Sequence, residues 1–324
     1  MDLSVIIPAK NESLFLKISV PALWVSINKS NIIAEIILVD NGSEDDTESV
    51  ARSLGCKILS SPQGSIAKLR NLGASQAQGT YLAFVDADCA VHEDWVSTCI
   101  ENLNHLKVGA TGTRVVPASE KATWVSWAWF NLAAGSKRKE NVSWLGSSNL
   151  MLKKCLFDEL GGFNEGLKTA EDFDLTTRLK KTHRIKLEKN IDTIHYREPE
   201  TIKELFIKES WRGSSSLACY ISNGCQFGEL GSVAIPMFVN ICIGMLVIFL
   251  LTNLSLTPIA IFPIIILPFI LMIKKGVPFN SFMIVVQTYI VAFIFILARS
   301  VSLAREIYYI LFRRSDVNIW KICR

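Results

Sequence analysis

Short apolar runs alternate with amphipathic stretches over the first third of the chain. The runs predict strands, and the stretches between them predict helices with one apolar face. The predicted strands are 4–7, 36–39, 57–59 and 81–85, and the predicted helices are 13–27 and 65–77. This alternation predicts an α/β fold with a mostly parallel sheet flanked by helices, in which ligands bind beyond the carboxyl ends of the strands.

The pattern is less regular after residue 107. The predicted elements are strands over 108–117 and 192–196, and helices over 123–134, over KKCLFDEL before Gly161–Gly162, and over 169–181. In the last of these helices Asp174 and Arg178 are spaced i,i+4. We expect them to pair on its outer face.

From Val233 onward the chain is apolar enough for a membrane. Residues 234–252 include 19 positions without a charge, which as a helix span about 28 Å and match a bilayer core of about 30 Å. Similar runs follow at 255–273 and 279–298. The expected organisation is a domain over 1–230, two or three hydrophobic membrane segments over 233–298, and a basic amphipathic tail over 299–324.

The charge changes at the same place. Residues 1–232 hold 26 Lys and Arg against 28 Asp and Glu, whereas residues 233–324 hold 8 basic and 2 acidic residues. The first part therefore has a net charge of −2 and the second a net charge of +6, so the excess of positive charge lies beside the membrane segments, where anionic lipids attract Lys and Arg. It does not indicate binding to nucleic acid.

The compartment is predicted from three features. The opening apolar stretch LSVIIP is too short for a signal peptide, so we expect a multi-pass protein of the cell (inner) membrane with a cytoplasmic N-terminal domain. Eight cysteines without a C-x-x-C pair fit a reducing compartment and argue against a zinc site. The positive-inside rule places Lys274–Lys275 and the tail on the cytosolic side, which three full crossings do not allow, so the number of crossings stays open.

Two carboxylates follow the fourth predicted strand, in YLAFVDADC (81–89). On an extended chain Asp86 and Asp88 point the same way, and two such charges about 4 Å apart repel by roughly 4 kcal/mol at an effective dielectric near 20. A divalent cation relieves this repulsion, and oxygen ligands favour Mg²⁺ or Mn²⁺. The competing interpretation is a helix N-terminal acid beside a solvated aspartate.

Polar residues also end the first two predicted strands, in PAKNE (8–12) and DNGS (40–43). Asp40 can accept hydrogen bonds from a base or ribose, or it can only form an Asx turn. Lys68 and Arg70, on the helix before the D-x-D segment, can reach phosphate oxygens or form a solvated face. No G-x-G-x-x-G follows the first strand, which argues against a dinucleotide-binding oxidoreductase.

A second acidic group, Glu171 and Asp172, opens the helix near residue 169. Thr169 and Asp172 match a capping box, so Asp172 either secures the helix start or points into a cleft as a general base toward a hydroxyl.

Three further residues have two interpretations each. His195, on a predicted strand, is either a structural residue or a metal ligand. Trp211 and Arg212, just before the membrane segments, either contact a phosphate or sugar or anchor the chain at the membrane interface.

Five segments carry a resemblance to a known family, and they occur in that family's order and spacing. They are SVIIPAKNE (4–12), ILVDNGSEDDT (37–47), AKLRNLGASQAQGTYLAFVDAD (67–88), SSNLML (147–152) with GGFNE (161–165), and TAEDFDLTTRL (169–179). Together they resemble an inverting family 2 glycosyltransferase of GT-A fold, over about residues 3–213. The resemblance implies a GT-A catalytic domain over residues 1–230, followed by C-terminal transmembrane helices.

The same resemblance implies roles for individual residues. A nucleotide-sugar donor is expected to contact Pro8, Ala9, Glu12, Asp40, Arg70 and Asp86, with Lys68 added from its position. Asp88 is expected to bind Mg²⁺ or Mn²⁺ on the diphosphate, helped by Asp86 and, as in some members, His195. Asp172 is the expected base, and Glu171, Trp211 and Arg212 are expected at the acceptor or phosphate. WRGSS at 211–215 departs from the Q-x-x-R-W of processive synthases, which favours transfer of a single sugar.

The implied reaction is a metal-assisted single displacement with inversion, in which Asp172 removes the proton from the attacking acceptor hydroxyl. The membrane segments suggest a lipid-linked or membrane-associated glycan acceptor, as in cell-envelope or exopolysaccharide assembly. Three alternatives stay open: a nucleotidyltransferase on a similar sheet, a non-catalytic membrane scaffold that keeps a transferase fold, and a transporter. The acidic PAKNE segment argues against the nucleotidyltransferase, and the intact Asp88 and Asp172 argue against the scaffold. The near absence of buried polar residues in the apolar runs argues against the transporter.

Overall fold

The computed structural model describes residues 1–120, 122–134, 140–225, 230–252 and 254–312. Within these residues the chain forms two units. The first unit combines Met1–Ala118 with Lys139–Arg197, and the second combines Ser119–Arg138 with Glu198–Arg324. The basic tail residues Arg313, Arg314, Lys321 and Arg324 lie outside the described residues.

Eight strands build one mixed sheet in the first unit. They are β1 (Leu3–Ala9), β2 (Ala34–Asp40), β3 (Lys57–Ser60), β4 (Tyr81–Val85), β5 (Cys89–Ala90), β6 (Val108–Pro117), β7 (Asn149–Lys153) and β8 (Arg184–His195). Their order across the sheet is β3-β2-β1-β4-β7-β6-β8-β5.

The helices follow in chain order. They are α1 (Ser13–Ser30), α2 (Thr47–Ser53), α3 (Ile66–Ser75), α4 (Trp95–Asn104), α5 (Trp124–Ala134), α6 (Lys154–Glu159), α7 (Glu171–Lys180), α8 (Ile202–Arg212), α9 (Ser216–Ser222), α10 (Gly231–Thr252), α11 (Thr257–Lys275) and α12 (Phe282–Phe312). The predicted strands and helices are all present, and most of their ends differ from the predicted ends by three residues or fewer. Strand β8 is the exception, because it begins at Arg184 and not at the predicted residue 192.

The first four strands form the parallel half of the sheet that the sequence predicts. Strands β1–β2, β2–β3 and β1–β4 pair in parallel, with Ala9 beside Asp40, so their polar carboxyl ends meet at one edge. Strand β7 then inserts antiparallel between β4 and β6. Two apolar clusters cover the faces of this sheet, because alternate residues such as Val5 and Ile6 point to opposite sides.

Helix α7 is held to the loop before it by an ion pair. Arg178 bonds Asp174 at 2.6 Å and also donates to the carbonyl oxygens of Leu160 and Gly162. The expected i,i+4 pair is therefore present, but its predicted position on the outer face is wrong. Asp174 is buried, because Arg178 folds over it to reach the loop carbonyls that α6 leaves unpaired.

Among the residues that the structure describes, the second unit contains three helices that are long and apolar enough to cross a membrane: Gly231–Thr252, Leu254–Lys275 and Phe282–Phe312. Helix α12 continues through the start of the expected tail without a break. Residues of α5, α8, α11 and α12 share one apolar cluster, which includes Val125, Leu205, Met272 and Val291.

Candidate active site

The ends of β1 and β2 form one wall of the candidate site. Asn41 N–H donates to the Ala9 carbonyl at 2.9 Å, which holds the two strand ends together. Asp40 accepts the N–H groups of Gly42 and Ser43 at 2.9 and 3.0 Å. The Asx turn weighed from the sequence is therefore present, and Gly42, with φ of 72°, supplies the left-handed conformation that it needs. Pro8 lies inside β1 beside Val39.

The D-x-D segment is a tight turn and not an extended strand end. Cys89 N–H donates to the Asp86 carbonyl at 3.0 Å, so the chain reverses directly after β4. The expected extended chain at Asp86–Asp88 is therefore wrong. The two carboxylates instead have separate partners, Arg70 and His195.

Arg70 joins the D-x-D turn to the start of α7. Its Nη2 bonds Asp86 Oδ1 at 2.8 Å and its Nη1 bonds Glu171 Oε1 at 2.5 Å, with the Phe163 ring 5.6 Å from the guanidinium carbon. The Arg70 side chain is only 4 % exposed, so both ion pairs lie in a low-dielectric environment. Burial lowers the pKa of Arg70, but the carboxylates around it outweigh burial and the net shift is upward.

Asp172 occupies the first turn of α7 beside this pair. The predicted capping box is wrong, because the N-cap is Ala170, in a left-handed conformation with φ of 66°, and not Thr169. The Asp172 carboxylate accepts the Phe173 N–H at 2.7 Å. A side chain on Gly146 would place its Cβ 3.5 Å from Asp172 Oδ2, so the loop before β7 lies directly against this carboxylate.

Burial weakens the two acids that open α7, Glu171 and Asp172. It raises the pKa of Glu171 to about 7, with Asp172 adding to the rise and Arg70 opposing it. Burial also raises the pKa of Asp172, while Arg70 and the N–H groups of Phe173 and Ser147 oppose that shift. Glu171 is committed to Arg70 in a buried ion pair. Of the two acids, Asp172 is therefore the better placed to exchange a proton with another molecule.

A second group forms around Asp88. Strand β5 pairs antiparallel with the end of β8, so that Cys89 lies opposite His195. His195 Nε2 is 3.2 Å from Asp88 Oδ2, and both side chains are mostly buried. Ligand atoms of Asp88, Cys89 and His195 all lie within 4.8 Å of one another. Burial raises the pKa of Asp88, but the hydrogen bond and charge of His195 outweigh it, and the net shift is downward.

The donor chemistry of this group fits a divalent metal ion. A carboxylate suits Mn²⁺ and Mg²⁺, whereas an imidazole suits the transition metals, so the pair of Asp88 and His195 fits Mn²⁺ better than Mg²⁺. Asp86 does not belong to this group, because its Oδ1 bonds Arg70.

Arg197 is a site residue that the sequence reasoning missed. It forms an ion pair with Glu12 and lies over the Phe15 ring, 5.2 Å from the ring centre. Burial raises the pKa of Glu12 to about 7. Asp88 and Asp86 contribute to this rise, and Arg197 opposes it. The sequence did offer one signal for Arg197: it lies two residues after His195, in a segment that returns to the sheet edge.

The remaining predicted residues lie on two other helices. Lys68 is exposed on α3, where its N–H donates to the N-cap Ser65 at 3.3 Å. Trp211 and Arg212 end α8 and belong to the second unit.

The sequence of the first unit matches a described family. Residues 4–161 match the model of Glycosyl transferase family 2. The chain carries a glycosyl transferase family 2 domain.

Relatives with curated names agree with this assignment. Glycosyltransferase AglE of Haloferax volcanii is 28% identical over 192 residues, which are 54% of this chain and 60% of the relative. Chondroitin synthase of Pasteurella multocida is 26% identical over 193 residues, 56% of this chain and 19% of the relative. The chain thus spans about three fifths of the length of the first relative and about a fifth of the second.

A solved structure shows the same fold. The mannosyltransferase PcManGT from Pyrobaculum calidifontis, in complex with GDP-Man and Mn²⁺, matches with a TM-score of 0.58 at 16% identity. The match covers 97% of this chain and 88% of the solved chain. The family 2 domain therefore has the GT-A fold that the sequence predicts, with apolar helices after it.

Proposed function

We propose that this family 2 glycosyltransferase moves a single sugar from a nucleotide-sugar donor to an acceptor hydroxyl with inversion. The observation that carries the proposal is the Arg70 bridge, which fixes Asp86 of the D-x-D turn next to the acidic start of α7. A donor-side carboxylate and a candidate base thereby share one buried network, as a displacement at a sugar carbon requires.

Asp172 is the proposed base. Its raised pKa places it nearer to neutral pH than an ordinary aspartate, which favours proton transfer from a hydroxyl. Arg70 holds the α7 start in place through Glu171 and so positions Asp172. Asp40, Glu12 and the β1 end form the wall proposed to take the nucleotide, and Lys68 is proposed to reach its phosphates from α3.

Asp88 and His195 are proposed to hold Mn²⁺ or Mg²⁺, with Asp86 nearby. When bound, the ion supplies positive charge for the diphosphate leaving group. The structural neighbour PcManGT was solved with GDP-Man and Mn²⁺, which supports a nucleotide sugar and a divalent ion here.

The acceptor is proposed to be lipid-linked or otherwise membrane-associated, because three helices of the same chain are long and apolar enough to cross a bilayer. On this proposal the protein is a multi-pass enzyme of the inner membrane with its catalytic domain in the cytoplasm. Assembly of cell-envelope or exopolysaccharide glycans is the proposed setting, and Trp211 and Arg212 are proposed as acceptor or phosphate contacts.

The function is tested with the full chain in membranes and a panel of UDP-, GDP- and dTDP-sugars. We expect one donor to release its nucleoside diphosphate in the presence of Mn²⁺, and EDTA to stop the release. Release of pyrophosphate instead would indicate a nucleotidyltransferase. If no donor in the panel reacted or bound, the chain would be better described as a non-catalytic scaffold.

The metal site is tested by replacing His195 with alanine. Because this removes one of two proposed ligands, we expect the affinity for Mn²⁺ to fall by about tenfold or more, measured by Mn²⁺ paramagnetic resonance on the purified chain. His105→Ala is the matched control, since His105 is exposed on the same unit. Unchanged Mn²⁺ affinity in His195→Ala would show that His195 is structural.

A further inference from the structure

The second unit holds a buried carboxylate between two arginines. Glu209, on α8, is fully buried. Its Oε1 accepts from Arg212 Nη1 at 2.7 Å and its Oε2 accepts from Arg299 Nη2 at 2.8 Å. One carboxylate thus serves two guanidiniums, and the three side chains together carry a charge of +1.

Aromatic rings lie against both guanidiniums. Arg212 lies 6.0 Å from the centre of the Trp129 ring, and Arg299 lies 5.2 Å from the centre of the Phe295 ring. The two rings contact each other, with centres 5.7 Å apart. The rings exclude water from one side of the arginines, which strengthens any charge interaction on the other side.

The hydrogen bond to Glu209 does not use every N–H group of Arg299. Its Nε is buried, and among the residues that the structure describes it has no hydrogen-bond partner. A buried N–H of a charged group that is left unpaired costs free energy. The side chains of Arg299 and Arg212 are nevertheless 24% and 36% exposed, so both can be reached from outside.

The cluster lies at the boundary of an apolar helix. Arg299 directly follows the apolar run 279–298, about 25 Å from the start of α12. Beside Arg299, α12 packs against the end of α8. The contact is close: Ser302 Oγ donates to the Ser210 carbonyl at 2.7 Å. Arg299 is the first charged residue after this apolar run, where the arginine of a spanning helix reaches out of the hydrocarbon, so we place Arg299 at the membrane–water interface.

We propose that Arg212 and Arg299 bind the phosphate group of a membrane lipid. Guanidiniums pair with phosphate oxygens through parallel hydrogen bonds, and phosphates of lipids lie at the height of the interface. The phosphate belongs either to a bilayer headgroup or to a polyprenyl phosphate that carries or accepts sugar. The proposal rests on membrane insertion of α10–α12 and not on the transfer chemistry, so each can fail without the other.

The test measures lipid retention by the full chain in nanodiscs, using native mass spectrometry. One set of nanodiscs contains phosphatidylcholine with phosphatidylglycerol, and the other contains phosphatidylcholine with polyprenyl phosphate. We expect Arg299→Gln and Arg212→Gln each to reduce retention of the phosphate lipid by about tenfold. Arg305→Gln is the matched control, because Arg305 is exposed on the same helix, and it should leave retention unchanged.

Glu209→Gln separates a binding role from a structural one. Removing the carboxylate raises the local positive charge, so the proposal expects retention to rise, opposite to the arginine variants. If the cluster only fastened α8 to α12, all three variants would lower the melting temperature and none would change lipid retention by the folded protein, which would overturn the proposal. If Glu209→Gln does not fold, Arg299→Lys replaces it: a phosphate site loses retention partly, whereas a structural cluster leaves it unchanged.

Stronger retention of polyprenyl phosphate than of phosphatidylglycerol would identify the lipid-linked substrate as the source of the phosphate. Equal retention would identify a general site for anionic lipid. Inorganic phosphate added in excess should compete weakly in both sets, because it lacks the acyl or prenyl chain that the apolar helices contact.

Discussion

Replacing Asp172 with asparagine should reduce sugar transfer by about 10²- to 10⁴-fold, the usual contribution of a general base. Asparagine keeps the size of the side chain and can still accept the Phe173 N–H through its amide oxygen. It cannot accept a proton from a hydroxyl. Donor binding, measured by calorimetry with the donor that the panel identifies, should therefore change little while the transfer rate falls.

Asp158→Asn is the control for this substitution, because Asp158 forms an exposed i,i+4 pair with Lys154 on α6 of the same unit. Its activity should stay within twofold of the original chain. If Asp172→Asn lost donor binding together with transfer, Asp172 would be a structural or donor-binding residue. If it kept full transfer, the base would be another group.

The pH profile gives a second check on the same residue. A base acts only when ionised, and burial raises the pKa of Asp172, so transfer should be lost as pH falls through a value above the ordinary aspartate range. The neighbouring Glu171, with a pKa of about 7, titrates with it. The loss of transfer should therefore begin at a higher pH than it would for an ordinary aspartate.

The sequence predicted the parallel half of the fold because its signals are local. Each of β1, β2 and β4 is a short apolar run that ends in a polar segment, and the crossover helices lie between them. The edge of the sheet where Asp40 and Asp86 emerge follows from these elements alone. The acidic start of α7 was visible for the same reason, because Glu171 and Asp172 open a helical pattern.

Long-range partners could not be predicted in this way. Glu171 lies 101 positions after Arg70, and nothing in either segment indicates that they pair. Strand β5 has two residues, too few for a hydrophobic pattern, yet its pairing with β8 brings His195 to Asp88. The turn at Asp86–Cys89 likewise depends on this tertiary pairing. Pairs of this kind are fixed by packing of the whole sheet and not by local preference.

In the apolar half of the chain, too, the local patterns were predictable and the long-range pairs were not. The three hydrophobic runs were visible in the sequence and each became a long helix. The pairing of Glu209 with Arg299, 90 positions apart, was not visible. The structure also adds two partners of Arg212 that the sequence did not indicate, the buried carboxylate of Glu209 and the ring of Trp129.

Replacing Arg70 with methionine should destabilise the first unit by about 3–5 kcal/mol, because it leaves Glu171 and Asp86 without their cation in a largely buried position. Methionine fills much of the same volume and keeps the contact with Phe163, so the loss reports mainly on charge. Urea unfolding of the full chain in detergent, followed by limited proteolysis of the first unit, measures the shift. Sugar transfer should fall as well, since the start of α7 loses its attachment to the D-x-D turn.

Arg114→Met is the matched control, because Arg114 bonds Asp192 on the same unit at 2.7 Å but is 42% exposed. An exposed pair of this kind contributes about 1 kcal/mol or less. The combination of Arg70→Met with Glu171→Leu should recover part of the lost stability, since it removes one stranded carboxylate along with its cation. Recovery of stability without recovery of transfer would show that Arg70 positions Asp172. If Arg70→Met and Arg114→Met lowered the free energy of unfolding equally, the buried bridge would not hold the site together.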